Sequence, residues 1–160
     1  LVGSEMCIRD RNYTMVTLVY GNIFDSAMLT IVNPVNCVGV MGKGLALQYK
    51  LRYPEMFTDY RRKCAIGILR PGKPYLYRLD NGASILNFPT KLHWRDHSRL
   101  IDIENGLDCL ITNYRKWGIT SIAVPPLGCG CGGLNWNEVR KLMTDRLNQL
   151  EIPVEIYAKA

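Results

Sequence analysis

No apolar run in this chain approaches the roughly 20 residues that a bilayer-spanning helix needs, so the sequence offers no candidate membrane span. Cysteines are present, at positions 7, 37, 64, 109, 129 and 131, but none sits in paired Cys-x-x-Cys spacing. With no recognisable secretory signal either, disulfides and structural zinc are not expected, and the chain reads as a protein of a reducing, cytoplasmic setting. Cys129-Gly-Cys131 is one tempting pair; a single intervening residue and no companion Cys/His cluster make it a poor metal site, and small side chains in a tight loop explain it better. Also missing are a Walker loop, a Gly-x-Gly-x-x-Gly fingerprint, a His-Glu-x-x-His helix, a Ser–His–Asp order and a set of paired carboxylates. Internal repeats and low-complexity linkers are lacking as well.

What is there fits one compact domain: 160 residues, 48% of them hydrophobic, enough for a core of its own. Residues 1–14 are polar and aperiodic, and precede a methionine that opens a clean strand; they read as a leader, tag or assembly scar, leaving 15–160 as a single domain. The net charge of +6 belongs to the domain itself, since Arg9 and Arg11 offset Glu5 and Asp10. It suits a polyanionic partner without specifying one.

The chain is organised around Asn33-Pro-Val-Asn-Cys-Val-Gly-Val-Met-Gly-Lys-Gly44. Leu29 to Val32 is expected to be a buried strand, ended where Pro34 withdraws a donor and fixes φ. Good helix formers run from Leu45 to Lys50. Between them, glycines let backbone approach a ligand, and the helix that follows presents unpaired N–H groups suited to phosphate. Ser121-Ile-Ala-Val-Pro-Pro-Leu-Gly-Cys-Gly-Cys-Gly-Gly-Leu134 repeats the plan: strand, proline stop, glycine loop, helix. Two such units place two phosphate cradles at the carboxyl edge of one sheet, an arrangement that fits a diphosphate.

Elsewhere, Val16 to Tyr20 is an opening strand. Helical sequence from Leu45 to Cys64 is interrupted at Tyr53-Pro54, where proline starts a second helix at its first turn. Its Arg61-Arg-Lys63 cluster reads as a solvated face. After the stiff turn Arg70-Pro-Gly-Lys-Pro74, the strands Tyr75 to Leu79 and Ser84 to Phe88 flank Asp80-Asn-Gly82, a hairpin signal. Ser98 to Trp117 forms a helix with Leu100, Ile103, Leu107, Leu110, Ile111, Tyr114 and Trp117 on its core face and Gly118 past its end. The last helix starts at N-cap Asn135, with Glu138 as in a capping box and Val139, Leu142, Met143, Leu147 and Leu150 inward. Pro153 marks a short closing strand, expected at a sheet edge.

Taken in order, Asn33-Pro-Val-Asn36 with Gly39-Val-Met-Gly-Lys-Gly44, Asn87-Phe-Pro-Thr-Lys-x-His-Trp94 and Pro125-Pro-Leu-Gly-Cys-Gly130 resemble the macrodomain superfamily, and within it the DNA ADP-ribosyl glycohydrolases of DarG type. The likeness runs from Met15 to about Tyr157. It implies an α/β fold of three layers, α/β/α, with a central mixed sheet and the ligand cleft at its carboxyl edge. It implies removal of ADP-ribose from thymidine bases of single-stranded DNA, opposing a DarT-type toxin, by a monomer that needs no cofactor or metal. In this pattern Asn33 and the loop residues Gly39, Val40, Met41, Gly42, Lys43 and Gly44 bind ADP-ribose on one side. Pro126, Leu127, Gly128, Cys129, Gly130, Cys131 and Gly132 do so on the other. Asn22 and Ile23 take the place of a Gly-Asp-Ile whose aspartate reads adenine; an amide can still accept that bond, while a turn-favouring asparagine is an equally good account of the position.

The most reactive segment is Asn87-Phe-Pro-Thr-Lys-Leu-His-Trp-Arg-Asp-His97. A lysine nucleophile must be neutral, and neighbouring cations with partial burial are the usual means of making it so. On residue type alone, a surface lysine contacting phosphate is the commoner use of such a position; the motif instead implies that Lys91 acts at the anomeric carbon of the distal ribose. Asn36 is implied to orient a hydroxyl beside that carbon. Thr90, His93, Trp94 and Arg95 are candidates to contact DNA, with Trp94 either stacking on a splayed base or partly buried in the core. One departure matters: where eukaryotic relatives carry a loop aspartate as general acid, this chain has Gly132. Two alternatives therefore stand beside the DNA glycohydrolase. One is a hydrolase of other ADP-ribose esters (ADP-ribosyl-glutamate, O-acetyl-ADP-ribose, ADP-ribose 1″-phosphate); the other is a non-catalytic ADP-ribose reader.

Overall fold

A computed structural model describes residues 15–159; the leader expected at 1–14 lies outside the described residues. Among the described residues six strands and four α-helices follow in the order β1 (Val16–Val19), β2 (Thr30–Val35), α1 (Gly44–Arg52), α2 (Pro54–Ala65), β3 (Tyr75–Arg78), β4 (Ser84–Pro89), α3 (Leu100–Asn113), β5 (Ile122–Val124), α4 (Trp136–Leu147) and β6 (Val154–Tyr157). The strands form one sheet in the order β1-β6-β5-β2-β4-β3. Every pairing is parallel except the β3–β4 hairpin, which makes the sheet mixed. All six residues of β4 are buried, as a strand covered on both faces requires.

Two helix pairs cover the two faces. On one, Ile103, Leu107 and Leu110 of α3 and Val139, Met143 and Leu147 of α4 join Val32, Phe88 and Val124 of the sheet. Approach there is close: a Cβ at Gly106 would stand 2.3 Å from the Phe88 ring, so only glycine lets α3 settle against β4. On the other face Tyr49 of α1 and Met56 and Tyr60 of α2 pack on Val35 and Ile85. At roughly 25 cal/mol per Å² of apolar surface, each fully buried large side chain contributes about 2 kcal/mol before entropy is counted.

The division of helical sequence at Tyr53-Pro54 is as expected, with Pro54 in the first turn of α2. Gly118 ends the α3 segment at φ +75°, and Asn135 caps α4, its Oδ1 accepting from the Glu138 N–H at 3.2 Å. Four expectations need correction. β2 does not end at Pro34: it starts at Thr30 and runs to Val35, with Pro34 opposite Phe88 and Val35 opposite Pro89. β5 flanks β2 only at Thr30 and Ile31, so by Pro34 one side of the strand no longer carries a ladder and the missing donor costs little. β6 is not an edge strand but lies between β1 and β5; Pro153 precedes it, where its carbonyl accepts from the Ile122 N–H. β1 stops at Val19 rather than Tyr20. Leu100, assigned to the core face of α3, is exposed at the helix's first residue.

Candidate active site

Because β1, β5, β2 and β4 run in the same direction, the segments that leave them meet along one edge of the sheet: Asn22 after β1, 125–133 after β5, 36–43 after β2 and 90–99 after β4. This is the edge at which open α/β sheets bind ligands. Asn22 is exposed and Ile23 is buried against Ala123 of β5 and Tyr157 of β6. The Asn22 side chain caps a 3₁₀ turn, Ile23–Asp25, by accepting from the Phe24 N–H at 2.9 Å, which leaves its amide NH₂ for other partners.

The first glycine loop is held by its own asparagine. Asn36 Oδ1 accepts from the Val38 N–H at 3.0 Å, and its Nδ2 donates to the Val40 carbonyl at 2.8 Å. From α2, the Tyr60 hydroxyl lies 2.7 Å from the same Oδ1 and 3.0 Å from the Asn36 carbonyl, sharing its single hydrogen between them. Burial pushes the Tyr60 phenol well above its ordinary value, so it remains a donor. Gly39 adopts φ +84° with the Arg61 side chain 3.1 Å from where its Cβ would be. Neither Tyr60 nor Arg61 stood out in the sequence; Arg61 belonged to a cluster read as a solvated face, and its backing of Gly39 has no sequence signature.

The loop ends at Lys43, which takes an extended conformation and makes no capping bond from its side chain, so the first N–H groups of α1 carry no side-chain cap. Val40, Gly42, Lys43 and Gly44 are exposed around that opening. Asn33 and Met41, by contrast, have 0% and 1% exposure and support the loop from beneath. Asn33 Nδ2 donates to Asn87 Oδ1 at 3.0 Å, across the β2–β4 ladder in which the two residues are paired.

The second loop is built differently. Gly132 stands so close to the segment after β4 that a Cβ there would lie 2.3 Å from Ser98 Oγ and 2.6 Å from the Gly128 carbonyl. The Ser98 N–H donates to the Gly132 carbonyl at 2.9 Å, and Gly133 lies against His97. An aspartate at 132 therefore has no room, which accounts physically for the departure noted in the sequence. Pro126 is half-buried, while Leu127 and Cys129 are buried, and burial raises the Cys129 thiol to about 11. Gly130 and Cys131 are exposed at the tip. Unlike α1, α4 has its N-terminus occupied by the Asn135 cap, so the second loop does not deliver an open helix end.

Lys91 follows β4 directly and is tied to the start of the first loop. The Cys37 N–H donates to the Leu92 carbonyl at 2.8 Å, and the Cys37 thiol approaches the Lys91 carbonyl at 3.5 Å. Burial, then the neighbouring Cys64, pushes that thiol to about 12, so it is a packed donor and not a nucleophile. The Thr90 N–H donates to the Val35 carbonyl at 2.9 Å, and Thr90 is itself buried. These bonds set Asn36 and Lys91 at adjacent strand ends. Lys91 is half-buried as a residue, and its Nζ donates to the Trp94 carbonyl at 3.0 Å, closing a tight turn. Trp94 is 47% exposed, so it is not a core residue; Arg95 stacks over its ring at 4.9 Å, and His93 abuts it.

Fold and site together define an α/β domain with two glycine loops and a lysine at one sheet edge, and residues 32–143 match the Macro domain family model. The chain belongs to that family. Within it, a DNA ADP-ribosyl glycohydrolase of Mycobacterium tuberculosis is 46% identical over 147 residues, covering 89% of this chain and 42% of the relative. The chain thus spans about two fifths of the length of that curated relative. The solved macrodomain of Mycobacterium tuberculosis DarG matches with TM-score 0.87 at 45% identity, over 92% of this chain and 100% of that one. Thermosipho africanus DarTG in complex with ADP-ribose matches with TM-score 0.86 at 44% identity, over 89% of this chain and 41% of that one.

Proposed function

We propose that this domain is a glycohydrolase that removes ADP-ribose from thymidine bases of single-stranded DNA, reversing the modification made by a DarT-type toxin in the cytoplasm. The observation that carries the reading is the placement of Lys91 beside Asn36 at adjacent strand ends, in a chain 46% identical to a DNA ADP-ribosyl glycohydrolase. Adenine lies toward Asn22 and Ile23, the diphosphate between the two glycine loops, and the distal ribose at Asn36 and Lys91. The glycosidic C–N bond breaks there; water supplies a hydroxyl to the anomeric carbon and a proton to the departing base. Lys91 acts at the anomeric carbon. Asn36, whose carbonyl oxygen is already bonded within its loop, has one N–H left to orient a ribose hydroxyl. Thr90, His93, Trp94 and Arg95 belong to the turn that faces the leaving base, with exposed Trp94 as the stacking surface. The domain acts as a monomer.

Incubating the domain and its Lys91→Ala variant with thymidine-ADP-ribosylated single-stranded DNA tests this by gel shift. Wild type is expected to remove the adduct. The variant is expected to leave it in place while binding ADP-ribose within a few-fold of wild type; unchanged turnover in the variant would overturn the assignment. Gly132, where no carboxylate fits, favours a second reading: a module that binds ADP-ribose without cleaving it. Turnover of any ADP-ribosylated substrate, glutamyl and acetyl esters included, excludes that reading.

A further inference from the structure

A second cleft, of about 800 Å³, opens beside Lys91. It is lined by Cys37, by Leu69, Arg70 and their neighbours before β3, and by Lys91, Leu92 and Asp96 after β4, with Arg99 and Asp102 at the start of α3; none of Gly39 to Gly44 or Pro126 to Gly132 contributes. Its volume is that of a ligand site. Strand order gives its position a meaning. Across the sheet edge, the segments run from Asn22 at β1, through the loops of β5 and β2, to Lys91 at β4, and the residues before β3 come last. An ADP-ribose laid along that edge with its reacting carbon at Lys91 has only the β3 side left for whatever its anomeric carbon carries.

The lining suits a polyanion. Of its two carboxylates, Asp96 is engaged by the His93 N–H at 3.0 Å and Asp102 by the Arg99 guanidinium at 3.0 and 3.2 Å. Arg70 is exposed and has no carboxylate partner among the described residues. The backbone that carries it is anchored. Its turn is tied to the end of β4 by the Gly72 N–H donating to the Pro89 carbonyl at 3.3 Å, and Gly72 at φ +82° packs against Asn105 of α3. Exposed Leu92 gives the lining an apolar face, and exposed Trp94 follows two residues later in the same turn.

We infer that this cleft holds the DNA strand flanking the modified thymidine, with Arg70 on a backbone phosphate. The inference rests on the glycohydrolase reading for its substrate and adds where the strand runs. Arg70 then discriminates an oligonucleotide from a lone modified nucleoside, because only the former carries a phosphate to reach it.

The test compares wild type, Arg70→Glu and Arg70→Lys on two substrates: a thymidine-ADP-ribosylated oligonucleotide and ADP-ribosylated thymidine. For Arg70→Glu we expect kcat/KM on the oligonucleotide to fall about 10-fold at low salt, with its log–log salt dependence flattened by about one unit. Arg70→Lys is expected to restore most of that loss, and turnover of the nucleoside to match wild type in both variants. Equal loss on both substrates, or none on either, overturns the inference. Anisotropy of unmodified fluorescent oligothymidylate at low salt separates the two readings. Hydrolysis by wild type with no response of turnover or binding to Arg70 removes the strand path and keeps the enzyme. Binding that weakens with Arg70→Glu, in a protein that cleaves neither substrate, removes the enzyme and keeps the path.

Discussion

The two glycine loops look alike in sequence and are built for different reasons. In the first, glycine answers to backbone conformation: Gly39 and Gly44 lie at φ +84° and +58°, and a Cβ at Gly44 would meet nothing within 4 Å. The loop is held by side chains, Asn36 within it and Tyr60 beneath it, and it opens onto a helix end without a side-chain cap. In the second, Gly132 answers to space, since Ser98 and the Gly128 carbonyl occupy the volume a Cβ would need. That loop is clamped from outside by the segment that also carries Lys91, and its helix is already capped. One loop thus offers charge and open N–H groups; the other offers shape, and couples its shape to the reactive segment.

The strongest way to break this contrast is to put a side chain where space is the constraint. Gly132→Asp, which would supply the missing carboxylate, is expected to destabilise the domain by about 3 kcal/mol, because the clash is with backbone as well as with Ser98. At this chain length that is a fall in Tm on the order of 10 °C by calorimetry. A variant that folds with wild-type Tm would show that the second loop moves freely and that the clamp at Ser98 is not a constraint.

A smaller effect, of opposite sign in two readouts, tests the first loop. Lys43 already has the extended backbone of an N-cap but lacks a capping side chain. Lys43→Asp should cap α1 and place a negative charge at its positive end, stabilising the fold by about 1 kcal/mol in denaturant unfolding. The same carboxylate occupies the N–H groups proposed for the diphosphate and repels it, so ADP-ribose affinity should fall about 10-fold, or about 1.4 kcal/mol, by calorimetry. Gain of stability with unchanged affinity would remove the α1 terminus from the binding site.

The order of elements, the proline-started α2 and the capped α4 were all legible, because each rests on a local rule: a fixed φ, a side-chain cap, a helical period. The motif residues Asn36 and Lys91 were legible as a pattern, but their adjacency is a product of strand order, which no local rule contains. Pro34 misled because a proline ends pairing only where both neighbours are present, and β5 is too short to be one. Tyr60, Arg61 and Ser98 were not legible at all. Each acts by reaching a loop distant in sequence, and Ser98 reveals itself only through the glycine it forbids to be anything else.

The smallest effect is the most discriminating. Gly130 sits at the exposed tip of the second loop, outside the left-handed region, with nothing within 4 Å of where its Cβ would be. Neither conformation nor packing demands glycine there, so Gly130→Ala is expected to change stability by no more than about 0.5 kcal/mol. If the tip lies against the diphosphate, however, the added methyl intrudes on the ligand where bare backbone had allowed close approach. ADP-ribose affinity should then drop several-fold while Tm holds. A drop in affinity without a drop in Tm assigns the tip to the ligand. No change in either confines the second loop's role to the shape set by Gly128 and Gly132, and leaves phosphate recognition to the first loop alone.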